Sequence, residues 1–396
     1  MSRKRLVVGI VVVCAALAAL APAASARIKL ATLPVRQRVE IQLENENATL
    51  VEEERVVTLL KGTNHIDFSW SNTFVDKQTI LFRPLAPAGD VEVIHSAYPP
   101  NENALVWEVF AKNAGAVRVR ISYLVGNLRR TFSYRATAEA DESTLVLRSY
   151  MRVWNFSGEE FGLSGIWAGF GLAFQDKEIG LQESKEVLIA KFAEVPITKK
   201  FIFNWRTGQP VPDEPNQRYV TMHYVLKNDE AHKLGQFPLP YGKVRIFLKD
   251  GKGGEAFTGE DWGKFTPIDD EMKLYLGLAR DVKVERTVKK NERQKIHGNL
   301  YNQEVIVQYK MQNFKKDPAL LDIEEDMNQL RNEFCGQKDH EAQWELLADT
   351  TDKAKVERKS AQNVEIHVGL AARPKEADKK PDEVVFLLHV MFKNEW

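Results

Sequence analysis

The feature that most constrains this chain is alternation of apolar and polar residues with a period of two. Val39, Ile41 and Leu43 alternate with Arg38, Glu40 and Gln42, and Ile66, Phe68 and Trp70 with His65, Asp67 and Ser69. Val117, Val119, Ile121 and Tyr123 repeat the pattern, as do Val244, Ile246 and Leu248, Val282 and Val284, and Val305, Val307, Tyr309 and Met311. Side chains on a strand point alternately to opposite faces, so each segment predicts one face on a core and one in water, as in antiparallel sheets. Turn chemistry agrees. Lys61-Gly62-Thr63-Asn64 separates two strand-like runs, and Asp250-Gly251-Lys252-Gly253-Gly254 suits a hairpin. No long helical stretch alternates with the strands, which argues against an α/β sheet. The expected fold is mainly β, with two or more antiparallel β-sandwich modules.

One short helix is expected near residues 317–335. Asp317-Pro318 reads as an N-cap with Pro at the first helical position. Leu320, Leu321, Met327 and Leu330 follow at roughly helical spacing, and Gly336 offers a stop. The acidic run Asp322 to Asp326 would then suit the positive end of the helix dipole. Pro84 to Pro100, Thr207 to Pro215 and Arg373 to Pro381 read as loops or linkers.

Arg3, Lys4 and Arg5 precede an apolar run from Leu6 to Ala21, followed by Pro22 and Ala24-Ser25-Ala26. A basic head, a short apolar core and a small-x-small exit make a secretory signal peptide. The run is shorter than the roughly 20 apolar residues that span a bilayer. Cleavage after Ala26 would leave 52 basic and 55 acidic residues, a net charge of −3, and Cys335 as the only thiol. The expected domains are 1–26, the signal; 27–115, an N-terminal β domain; and 116–396, a second β region with a sub-boundary open near 290–300. The expected location is periplasmic or extracellular, with no membrane span after cleavage.

A nearly balanced charge argues against a nucleic-acid binder held by a bulk electrostatic field. The balance is global and not local, however. Asp281 to Lys316 carries a net +5, and the adjoining Asp317 to Glu345 a net −7. Such blocks can dock on each other or face different partners.

Catalytic and metal motifs appear only as near-misses. Gly162-Leu163-Ser164-Gly165-Ile166 has Ile where a nucleophile elbow needs Gly. His340-Glu341-Ala342-Gln343-Trp344 has Trp where a zinc-protease helix needs its second His. The eight histidines lack metal-ligand spacing, and Cys335, although Lys338 and His340 are close enough in sequence to lower its pKa, reads as a structural thiol. No catalytic, metal or cofactor-binding residue is therefore expected. Two groups remain as a candidate interaction surface. Phe161, Trp167 and Phe170 lie in a Gly-rich passage, and Glu260, Asp261 and Trp262 in a Gly-flanked one beside Asp269-Asp270-Glu271. Exposed aromatics can stack on sugars or dock a partner, and paired carboxylates at suitable separation can cleave glycosides.

The passage Leu239-Pro240-Tyr241-Gly242-Lys243-Val244-Arg245-Ile246-Phe247, continued by Gly259-Glu260-Asp261, Thr266-Pro267 and Leu274 to Val282, resembles domain of unknown function 4139, found in mucoidy-inhibitor-like proteins. Tyr123 to Gly126, Phe132-Ser133-Tyr134 and Asn155 to Glu159 are similar to the opening of that domain. The resemblance covers roughly residues 50 to 350 and implies an exported β-rich protein linked to the envelope, without catalytic residues to carry over. The helical coiled-coil insert of longer relatives has no counterpart in sustained heptads here. Two readings follow. One is a non-enzymatic structural or interaction protein of the cell envelope, with envelope proteins or polysaccharide as partners. The other is a carbohydrate-binding or carbohydrate-active protein using the aromatic and acidic loops.

Overall fold

The structure, a computed structural model, describes residues 33–45, 47–169, 177–375 and 379–396. The expected signal segment and Phe170 lie outside them. The chain forms two compact units: residues 1–130 with 153–185, and residues 131–152 with 186–396. Strands dominate both, and among the described residues no helix is long and apolar enough to cross a membrane.

The first unit contains a six-stranded sheet and a three-stranded sheet. The six-stranded order is Lys177–Ile179, Gly162–Trp167, Arg38–Gln42, Thr49–Leu59, Gly115–Val125 and Leu81–Pro84. The three-stranded order is Gly62–Ser69, Ala104–Ala111 and Val91–Ala97. The turn at Lys61 thus passes the chain from one sheet to the other. Facing side chains meet in an aromatic core. Phe68 lies 5.8 Å from both Trp107 and Tyr123, and Phe82 lies 4.8 Å from Trp107, between ring centroids. The proline-rich stretch from Pro84 to Pro100 is not all loop, because Val91–Ala97 pairs along Ala104–Ala111.

The second unit holds a five-stranded sheet and two six-stranded sheets. The five-stranded order is Glu183–Pro196, Thr144–Asn155, Leu128–Ala138, Gly242–Lys249 and Glu255–Gly263. The first six-stranded order is Glu271–Leu278, Thr221–Lys227, Thr198–Asn204, Ala319–Asp326, Asn363–Leu370 and Val356–Arg358. The second is Pro210–Val211, Glu214–Arg218, Val282–His297, Leu300–Asn313, Val384–Glu395 and Gln343–Leu346. These last two enclose a common core of Phe201, Phe203, Leu321, Ile323 and Ile366 against Val305, Val307, Tyr309, Leu388 and Val390. The hairpin at Asp250 forms as its residues dictate. Asp250 accepts hydrogen bonds from the Lys252 and Gly254 amides at 2.7 and 2.9 Å.

Among the described residues the fold is mainly β with several modules and one α-helix, as expected, and two details differ. The sheets are not wholly antiparallel: Arg38–Gln42 with Gly162–Trp167, Thr198–Asn204 with Ala319–Asp326, and Leu128–Ala138 with Gly242–Lys249 pair in parallel. The helix is also shorter than expected, covering only Met327–Cys335. Asp317 to Asp326 mostly form a strand, in which Ala319, Leu321, Ile323 and Glu325 point inward. An inward carboxylate and an outward Leu320 hid the period of two. The true N-cap is Asp326, which accepts from the Gln329 amide at 3.0 Å. Gly336 stands at the helix C-terminus, as its position suggested.

Candidate functional site

The outer face of the first six-stranded sheet of the second unit carries a dense set of polar side chains. Strand register lays them out in three rungs. Tyr275, His223 and Lys200 form one rung; Thr221, Ile202, Asp322 and His367 a second; Asn204, Glu324 and Glu365 a third. A register shift at Met222/His223 locally bends the strand that carries His223. The edge strand Glu255–Gly263 borders this face with Asp261 and Trp262, leaving an open groove of about 750 Å³.

The aromatic rim is held by its glycines. Gly242 and Gly263 are cross-strand partners, each following an aromatic, Tyr241 and Trp262. A Cβ on Gly242 would meet the Phe132 carbonyl oxygen at 2.5 Å, so only glycine permits this parallel approach. Asn228, fully buried, donates to the Phe237, Thr266 and Pro267 carbonyls at 3.1 Å and ties together the loops on either side. Tyr241 and Trp262 stack with centroids 5.1 Å apart and planes 4° apart, and the Lys243 ammonium lies 5.2 Å from the Trp262 ring. Both rings remain half exposed.

The carboxylates are committed. Asp261 accepts from the Trp262 amide at 2.8 Å and the Tyr275 amide at 2.7 Å, joining two edge strands through one side chain. Glu260 pairs with Lys243 at 2.8 Å, and that hydrogen bond lowers its pKa, the opposite of what a general acid needs. Across the floor, Lys200 bonds Asp322 at 3.0 Å, while His367 bridges Asp322 at 2.7 Å and Glu357 at 2.9 Å. Lys359 reaches Glu357 and Glu365, and Lys273 reaches Glu365 and Glu324. Asp322, Glu365 and His367 bring ligand-type atoms within 4.8 Å of one another. Yet Lys200 and Lys359 already neutralise the carboxylates, and both nitrogens of His367 are engaged. The donor set is that of an ion-pair network and fits a metal poorly.

The two histidines of the face titrate in opposite directions. Burial pushes His223 down, helped by Lys273 and opposed by Asp261. Burial also disfavours charge on His367, but its bonds to Asp322 and Glu357 outweigh that and raise its pKa. A proton titration by NMR should therefore place the His223 midpoint below 6.5 and the His367 midpoint above it. Coincident midpoints would contradict the arrangement. By linkage, His367 adds stability below its unfolded pKa, and that contribution is lost as pH rises through its folded value.

The expected surface residues divide between the units. Phe161 is buried in the first unit with the Arg36 guanidinium 5.9 Å from its ring, so it is a core residue and no exposed platform. Trp167 in the same unit is 40% exposed. Asp261 and Trp262 line the groove of the second unit, and Glu260 lies outside its lining. The near-misses are structural. Ser164 is buried on a strand, its hydroxyl turned to the Phe161 and Gly162 carbonyls. His340 stacks on Trp396 with centroids 4.4 Å apart. Cys335 has its pKa raised, mainly by burial, despite Lys338 nearby. Tyr241, Tyr275, His223 and Lys273 were missed as site residues. Tyr241 alone had a signal, its place beside Gly242. No family model and no curated protein matches the chain.

Proposed function

We propose that the protein is a non-enzymatic interaction protein of the cell envelope, exported by its N-terminal signal. The observation that carries the non-enzymatic part is the commitment of the groove carboxylates. Asp261 is held by two backbone amides, and Asp322, Glu324 and Glu365 each have a lysine partner, so these four carboxylates serve the ion-pair and hydrogen-bond network of the sheet. The signal-like N-terminus and the resemblance to the mucoidy-inhibitor-like family support the envelope assignment. The test is capture of partners from envelope extracts with the mature chain. A chain that retains no partner and turns over a substrate would sink the reading.

One observation favours carbohydrate as a second reading. The half-exposed Tyr241–Trp262 pair beside a polar floor offers a ring face and hydrogen-bonding groups together, the combination that sugars use. On a glycan array, Trp262→Ala should cut any retained signal at least tenfold, about 1.4 kcal/mol. Equal signals from both proteins would remove this reading.

A further inference from the structure

The +5 segment of the sequence folds into the hairpin of Val282–His297 and Leu300–Asn313. Its Arg286 is drawn inward to Glu325 and Glu333 of the acidic segment. Val282 and Val284 also join the core, and from Val288 to His297 the first strand is mostly exposed. Along one edge it pairs with Leu300–Asn313 over its whole length. Along the other edge only Glu285 has a partner, Gln217. Among the described residues no strand pairs with this outer edge from Thr287 to His297. Every second residue there therefore presents its N–H and C=O outward.

Long open edges invite uncontrolled pairing, and this one carries two restraints. Register shifts at Val288/Lys290 and Lys295/His297 confine the regular stretch of this open edge to residues 290–295. Lys289, Lys290, Arg293 and Lys295 stand against a single acid, Glu292. Lys290 is partly neutralised by Glu304 at 2.7 Å, and Arg293 lies over Tyr301, 3.9 Å from its centroid. Among the described residues neither Lys289 nor Lys295 forms an ion pair, whereas Lys290 does. A second copy pairing on this edge would set like charges opposite each other, which destabilises a sheet. An acidic strand would meet the reverse. The charges that reject self-association thus select a partner by sign.

We infer that the outer edge of residues 290–295 is a docking site for an extended acidic peptide segment, added as an extra antiparallel or parallel strand. It rests on the interaction-protein reading and gives that protein a partner chemistry. Alternating backbone donors and acceptors suit a peptide better than a phosphate backbone, so a polypeptide is favoured over a nucleic acid.

The test uses the mature chain and a fluorescein-labelled eight-residue peptide in which Val or Thr alternates with Glu. Anisotropy should show saturable binding that weakens at 0.5 M salt. Replacing two alternate residues of the peptide by proline preserves most of the charge but forbids strand pairing, and should weaken binding at least tenfold. Lys289→Glu with Lys295→Glu, both exposed, should also weaken it about tenfold while leaving the thermal midpoint unchanged. Hydrogen exchange should slow at amides within 290–295 when the peptide is bound. No binding at 1 mM, equal binding of the proline peptide, or equal binding of a single-stranded oligonucleotide would each overturn the inference. If the peptide fails while envelope extracts still yield a partner, the docking edge is wrong and the interaction reading stands. If both fail, the interaction reading falls too.

Discussion

Replacing Arg286 by methionine should destabilise the second unit by about 3–5 kcal/mol, the usual cost of removing one member of a buried ion pair. Arg286 is buried among Tyr309, Glu325 and Glu333. It grips Glu333 with two hydrogen bonds of 3.0 and 2.9 Å, and its Nε lies 3.7 Å from Glu325. Glu325 sits in the core between the two six-stranded sheets, where its other partner is the Tyr309 hydroxyl at 2.5 Å. Burial raises the pKa of Glu325, and Arg286 is the main influence opposing that. Methionine fills similar space but supplies no charge, so the carboxylate either stays ionised without a cation or takes up a proton. The pH dependence follows from the sign. A folded pKa above the unfolded one means that the native state binds more protons, so stability is lost as pH rises from about 4.5 through the folded value. The variant should show a steeper loss over that window than the parent, because its Glu325 pKa rises further. Urea unfolding at pH 4.5 and 7.5 measures both effects. A loss under 1 kcal/mol at pH 7.5, or a pH slope no steeper than the parent's, would contradict this account.

The same residues show what local sequence could reveal. Val305, Val307, Tyr309 and Met311 alternate cleanly because each inward position is apolar or aromatic, and all four are fully buried. The strand Ala319–Asp326 follows the same rule but carries Glu325 inward. Its compensation comes from Arg286 and Tyr309, which precede it in sequence and reach it only through the tertiary fold. Periodicity therefore failed where a polar network replaced a hydrophobic contact. The groove was harder to read for a related reason. Asp261 and Trp262 stood out by residue type, but His223 meets Tyr275 and Lys200 through register between separate strands. Parallel pairing of Thr198–Asn204 with Ala319–Asp326 then brings Asp322 and Glu324 beside Ile202 and Asn204, and no short-range turn announces it. Gly242 is the exception, where a close backbone approach left a mark in the sequence beside Tyr241.

The second large effect is expected at Arg331, whose guanidinium is almost wholly buried at the helix Met327–Cys335. It donates to Asn332 at 2.9 Å and to the His340 carbonyl at 2.8 Å, and lies 3.4 Å from Glu395. Glu395 ends the long C-terminal strand, is fully buried, and has one carboxylate oxygen without a hydrogen bond. Arg331 is thus the cation that compensates this carboxylate. Arg331→Met should cost about 3–5 kcal/mol, because it strands Glu395 and frees the His340 carbonyl. If the stranded charge is the main penalty, Glu395→Gln in the same chain should recover about half of the loss, since a neutral amide tolerates the site better. Glu395→Gln alone should cost less than Arg331→Met, because the arginine keeps its carbonyl and amide partners. The double-mutant cycle separates this from simple packing: a coupling energy of about 1 kcal/mol or more marks an interacting pair, while additive losses would mean that Arg331 acts through its volume alone. The outcome also decides how the C-terminal strand is held, since the helix and the strand end share this one buried contact between opposite charges.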